Sequence, residues 1–218
     1  MARWQPNARE RLVEAALELF AERGYEHTTV AGIAERAGLT KSTFYLHFPD
    51  KREVLFGGDT MSALLDRAIT AAPATALPLE AVAHALDAVG GEVFTPARRE
   101  FTARRRAVIA AHAELREREA LKGVDLAASM TEALQRRGVP DLTSQVVAML
   151  GALALKIAYE RWSDTTDIDD FGGFARRTLS ELQAAGGTLN PVLDDREEVV
   201  ITRARLEHAG GTTGELSE

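Results

Sequence analysis

Almost nothing in this chain can be laid out as a sheet. Ala, Leu, Glu and Arg dominate, runs of β-branched residues are rare, and apolar residues recur three and four apart. An all-α fold of about nine helices follows, cut by glycine and proline at regular places. The first helix spans about Ala8 to Arg23, with Asn7 as its cap and Glu10 as the third residue of a capping box. Its apolar face is Leu12, Ala15, Ala16, Leu19 and Phe20, and Gly24 ends it. A second helix runs from about Val30 to Ala37 and stops at Gly38. A third begins behind Thr40 and runs from Lys41 to Phe48, where Pro49 stops it. A fourth is expected from Asp50 to about Ala71, with Asp50 as its cap, which at 1.5 Å per residue is ~32 Å long. Pro73 and Pro78 then mark a loop. Five more helices are predicted over about 79–90, 97–112, 114–137, 143–162 and 170–185, and a short one over 195–208.

The order of residue types in "LTKSTFYLHFPDK" (39–51) needs explaining. Small hydroxyls and a lysine come first, and rings follow. A helix pair joined by a tight glycine turn is a helix-turn-helix, whose second helix enters the major groove of DNA front end first. Lys41, Ser42 and Thr43 would then face base edges. Phe44 and Phe48, four apart, would plug a small core, while Tyr45 and His47 reach phosphate oxygens. Lys51 and the N–H groups at the start of the fourth helix can hold another phosphate. The plainer reading is an ordinary helix pair with core aromatics, and the spacing alone leaves both open.

Charge does not decide between them at first sight. The net charge is −7, yet residues 1–56 hold eight basic and eight acidic side chains, so the deficit lies wholly in the remainder. A neutral head can bind DNA if its cations share a face.

The stretch "RLVEAALELFAERGYEHTTVAGIAERAGLTKSTFYLHFPDKREVL" resembles the N-terminal DNA-binding domain of the TetR family of bacterial regulators. Its landmarks are the run from Ala16 to Tyr25, Thr28-Thr29, Ile33-Ala34, Ala37-Gly38-Leu39, Thr43 to Phe48, and Lys51. The resemblance implies a homodimer that binds a palindromic operator on double-stranded DNA and represses until a small-molecule effector releases it. Carried over by position, Thr29, Tyr45, His47 and Lys51 fall on backbone-contact positions. Lys41, Ser42, Thr43 and Leu46 fall on base-facing ones. Two departures stand out. Ala31 replaces a base-reading Arg of some members, and Leu46 replaces an aromatic and can touch only a thymine methyl. Readout then leans on Lys41 and DNA shape. On these grounds the domains are 1–56 (DNA binding), 57–186 (ligand binding and dimerisation) and 187–218, an acidic, partly disordered tail.

In the body, the stretch from Val146 to Ala158 is apolar or small on every side. Such a helix must be buried all round. Ala148, Gly151, Ala152, Leu155 and Ala158 are therefore the expected dimer contact, through the eighth and ninth helices as a four-helix bundle; an internal core helix is the other reading. Phe94, Phe101, Arg105, Val108 and His112 follow one stripe of the sixth helix and its lead-in. Arg105 is out of character there. Either it pairs with a carboxylate inside the protein, or it meets an anionic ligand in a pocket completed by Met130 and Trp162. The body loosely resembles regulators related to those of the mycofactocin system, which implies a lipophilic, anionic effector such as an acyl-coenzyme A. Tilting the long fourth helix would pass the signal, because half-sites recur at ~34 Å.

Other classes fit less well. The five histidines form no i,i+3 or i,i+4 pair, and neither a phosphate loop nor a nucleophile motif is present, so no enzyme, metal or cofactor is expected. There is no cysteine, which suits a reducing cytoplasm. The N-terminus lacks the apolar run of a secretory signal. Lys156 interrupts the most apolar stretch, which falls short of the ~18 residues of a membrane span, so no membrane partner is expected. The surviving alternative is a ligand-binding or interaction protein of the same fold whose DNA binding has weakened or been lost.

Overall fold

The structure, a computed structural model, describes residues 8–57, 60–165 and 170–188. Among these it has nine α-helices and no strand: α1 Ala8–Arg23, α2 Val30–Arg36, α3 Lys41–His47, α4 Thr60–Ala71, α5 Pro78–Glu92, α6 Arg99–Ala111, α7 Ala113–Arg136, α8 Asp141–Asp164 and α9 Phe171–Thr188. Two 3-10 turns, Arg52–Leu55 and Pro96–Arg98, lead into the body helices. Asn7, the expected first cap, and the expected helix over 195–208 lie outside the described residues.

Residues 1–179 form one compact unit and 180–218 a second, of which only 180–188, the last turns of α9, are described. The predicted boundary at residue 56 is not a gap in packing. Leu12, Ala16, Phe20, Ile33, Phe44 and Phe48 share one core with Val108 and Ile109 of α6 and Leu115 of α7. The head is thus closed from behind by the body's own helices.

Local chemistry explains the turns. Thr28 is buried and donates to the carbonyl of Gly24 at 2.8 Å, which fixes the entry to α2. The Thr29 side chain then caps α2 by accepting the Gly32 N–H. Gly38 has φ +64°, and its Leu39 neighbour closes the turn on the Ala34 carbonyl at 2.8 Å. A Cβ there would also stand 2.8 Å from an Arg11 guanidinium nitrogen, a side-chain end that can shift, so it is the left-handed backbone that calls for glycine.

The long fourth helix does not exist as predicted. Asp50 does act as a cap, accepting the Glu53 N–H at 3.0 Å, but what it caps is the 3-10 turn. Gly57 then takes φ +71°, a left-handed step that an α-helix cannot contain. α4 begins at Thr60 and its 12 residues span only ~18 Å. Its C-terminal end is held by Arg137, which donates to the carbonyls of Ile69 (3.2 Å), Ala72 (2.8 Å) and Pro73 (2.6 Å).

In the body, α4 packs on α5 and α7, and α8 packs on α5, α6 and α7. Two glycine contacts let α5 come close. A Cβ on Gly151 of α8 would lie 2.6 Å from the Val82 side chain, and one on Gly90 would lie 2.7 Å from the Gly172 backbone nitrogen. α8 is long and apolar enough, by length and composition, to cross a membrane. Its face from Ala148 to Trp162 is instead packed inside this unit.

Candidate nucleic-acid interface

The seven residues of α3 sort cleanly by side. Phe44 is wholly buried, and Phe48, just past the helix end, lies 5.5 Å from it, ring to ring. The guanidinium of Arg9 covers the Phe48 ring at 4.9 Å. Lys41, Ser42, Tyr45, Leu46 and His47 are all exposed, with Thr43 half-buried between them. Thr40 caps the helix by accepting the Thr43 N–H at 3.1 Å, and the two hydroxyls lie 2.8 Å apart. The Lys41 ammonium sits 5.9 Å from the Tyr45 ring centroid.

α3 itself carries no carboxylate. Part of the head's acidity lies elsewhere, on a groove between α1 and α2 lined by Glu10, Glu14, Glu18 and Arg36. Arg36 bridges Glu18 at 3.0 Å and Glu22 at 2.8 Å, and this hydrogen bond holds the Glu22 carboxyl below its usual range. A head of zero net charge therefore still presents a helix without negative side chains, which favours the approach of a phosphate backbone.

Thr29 and Lys51 complete the expected set. Thr29 is exposed with its side chain committed to the cap of α2. Lys51 is turned inward: it donates to the Tyr25 carbonyl at 2.7 Å and lies 4.0 Å over the Tyr25 ring. An ammonium has three donors, so this bond orients Lys51 without exhausting it. Burial pushes the Tyr25 hydroxyl up to about 12.

The expected ligand residues do not converge. Val108 packs into the head core and Phe101 lies against it. His112 stacks toward Tyr25, with ring centroids 5.7 Å apart. Met130 is buried against Gly151, between α7 and α8. Only Phe94 and Trp162 meet, in a four-ring cluster with Tyr159 and Phe171, where Phe94 and Phe171 are 4.4 Å apart. The periodicity misled because the stripe runs past the head–body junction, so its two ends serve different cores.

Arg105 follows the first of its two readings. It donates from Nε to the Leu55 carbonyl at 2.7 Å, and from one terminal nitrogen to the Tyr159 hydroxyl at 2.8 Å and Glu119 at 3.2 Å. Its guanidinium lies 5.3 Å from the Phe56 ring, and that of Arg118 lies 5.4 Å from the same ring. Arg118 in turn pairs with Glu53, at 3.1 Å for one of its two bonds. Glu53, Phe56, Arg118 and Tyr159 were not legible as partners, since they are scattered over more than a hundred residues of sequence. Burial raises the Tyr159 hydroxyl, against the pull of Arg105 beside it.

The small-residue stripe expected at the dimer contact lies mostly inside the chain. Ala148, Gly151, Leu155 and Ala158 are buried within the chain against its own helices, and Ala152 is half-buried. The apolar face of α8 that stays open is Leu142, Val146, Met149 and Leu153.

A three-helix head whose recognition helix faces outward, set on an all-helical body, defines the class of helix-turn-helix DNA-binding proteins. Residues 12–57 match the family described as bacterial regulatory proteins, tetR family. The chain is 44% identical over 89 residues to the HTH-type transcriptional regulator TcmR of Streptomyces glaucescens, a match covering 39% of this chain and 38% of that protein. It is 45% identical over 47 residues to the regulator SrpR of Pseudomonas putida, covering 22% of each. The matched segments thus span well under half the length of these curated relatives. Among solved structures, NalD of Pseudomonas aeruginosa, the secondary repressor of the MexAB-OprM multidrug efflux pump, aligns with TM-score 0.53 at 19% identity, covering 82% of this chain and 96% of that one. SmeT in complex with triclosan aligns with TM-score 0.52 at 21% identity, covering 82% and 90%. Those two share the fold. Residues 12–57 thus carry a DNA-binding domain of the tetR family.

Proposed function

We propose that this chain is a transcriptional repressor that binds a palindromic operator as a homodimer in the cytoplasm and leaves it when a small-molecule effector binds the body. The observation that carries the reading is the division of α3: Phe44, and Phe48 at the helix end, are buried while five polar or apolar side chains face outward from a helix without carboxylates. Lys41 and Ser42 supply donors for base edges, and Thr29, Tyr45, His47 and Lys51 supply phosphate contacts. The second copy belongs on Leu142, Val146, Met149 and Leu153, an exposed apolar stripe four, three and four residues apart along one side of α8.

The effector reaches the head through α6 and α7 rather than through a long fourth helix. Arg105 joins the Tyr159 hydroxyl of the aromatic cluster to the Leu55 carbonyl at the end of the head. The Trp162 indole N–H, wholly buried in that cluster, has no hydrogen-bond partner among the described residues, so a lipophilic ligand with an acceptor would satisfy it. An anionic group, as in an acyl-coenzyme A, would draw Arg105 away from Leu55. A ligand acts only by favouring the conformation that does not bind DNA, and breaking this bond is such a difference.

The test is operator selection from random DNA with the purified full chain at two salt concentrations. A palindrome whose binding weakens steeply with salt is expected, because phosphate contacts release counterions. Enrichment of no sequence, before and after refolding to strip any retained ligand, would favour a ligand-binding protein whose recognition helix no longer reads bases, in keeping with Ala31.

A further inference from the structure

We infer that Leu46 reads the 5-methyl group of one thymine in each operator half-site, and that this contact sets sequence preference; the inference rests on the DNA-binding reading above. Leu46 is 83% exposed, the largest value among the exposed large hydrophobic residues. It contributes nothing to the head core, which Phe44 and Phe48 fill from the same helix. A leucine has no polar atom, so it can neither donate to nor accept from a base edge. The major groove offers one apolar feature to such a side chain, the C5-methyl of thymine.

The neighbours of Leu46 strengthen the assignment. Ser42 and Thr43, four and three residues earlier, share its side of α3. The Thr43 hydroxyl is engaged with Thr40 at 2.8 Å, part of the helix cap, and is not available to choose a base without opening that cap. The Lys41 ammonium lies 5.9 Å from the Tyr45 ring centroid, and a lysine donor serves either a phosphate or a guanine. Of the outward residues before the helix end, Leu46 is therefore the one with a fixed and exclusive preference. A phosphate backbone cannot take its place, since burying leucine against an anion satisfies neither.

The test uses the selected operator and replaces each thymine of the half-site, singly, with deoxyuridine, which removes the methyl and keeps all hydrogen-bonding groups. Affinity of the full chain is measured for each duplex by fluorescence anisotropy. One position per half-site should weaken binding about fourfold, and about tenfold or more when both half-sites are changed, from the transfer of a methyl-sized group. Leu46→Ala should bind the thymine operator more weakly and show equal affinity for thymine and deoxyuridine at that position. Lys41→Ala should weaken both duplexes and keep their ratio. Because Leu46 is exposed, its variant should melt with the parent, which separates readout from folding. Insensitivity to deoxyuridine at every position, or discrimination that survives in Leu46→Ala, would overturn the inference while leaving operator binding intact. Failure of the selection itself would overturn the DNA-binding reading, and this inference with it.

Discussion

α3 and α8 expose side chains in opposite ways. α3 is seven residues long and turns polar groups, with one leucine among them, to solvent. α8 is 24 residues long and turns out Leu142, Val146, Met149 and Leu153, with Leu142 75% and Met149 67% exposed. Each packs its other side inward, through Phe44 in α3 and through Ala148, Ala154, Ala158 and Trp162 in α8. The contrast teaches that the open face, not the buried one, carries the information about a partner. A polar face with one apolar point suits the grooved, hydrated surface of DNA. A continuous apolar stripe suits a second copy of itself.

The sharpest way to break this comparison is to charge the α8 stripe. Leu142→Asp with Met149→Asp should shift the chain to monomer, weakening self-association by two orders of magnitude or more in sedimentation equilibrium, and should lower operator affinity with it. A dimer that persists would move the interface elsewhere. Next in size is the buried side of α3. Phe44→Ala should cost ~3–5 kcal/mol of stability, in the range for large core aromatics, read by denaturant unfolding, whereas Tyr45→Ala on the exposed side should leave the midpoint nearly unchanged.

The junction between the two regions comes third. Arg105→Met leaves the Leu55 carbonyl and the Tyr159 hydroxyl without their donor, at a cost of roughly 1–3 kcal/mol. It should also raise amide exchange at the Arg52–Leu55 turn while leaving α8 protected. The smallest effect is on pH. The folded Tyr25 hydroxyl, raised to about 12, keeps its proton above pH 10, where the unfolded chain begins to lose its own. The Tyr25 contribution should therefore be constant below pH 10, and stability should fall between pH 10 and 12. Tyr25→Phe should flatten part of that fall in melting scans, with Tyr159, also raised by burial, accounting for the rest.

What the sequence made legible follows the same divide. α1 to α3 were readable because their signals are local: Thr29 and Thr40 caps, Gly38 at positive φ, and two phenylalanines at helical spacing. The core of the head was readable too, except for its rear wall, since Val108, Ile109 and Leu115 come from far along the chain. Along α8 the apolar pattern showed that both sides are apolar, but not which side its own α5 and α7 would cover. Arg105 looked wrong in its stripe, and was; its partners Leu55, Glu119 and Tyr159 sit 14 to 54 residues away, beyond any periodicity. The fourth helix failed on a single residue, Gly57, whose left-handed backbone outweighs the helical preference on either side.

The close approach of α5 to Gly151 and Gly172 has an evolutionary consequence. Positions 90 and 151 are those at which the smallest possible change, one methyl group, meets backbone or a packed side chain at 2.7 and 2.6 Å. Drift can recolour the outer faces of this body and so change its ligands and its partners. It cannot widen these two crossings without separating the helices, so a lineage that replaces either glycine inherits a different resting shape for the body, and a different response along with it.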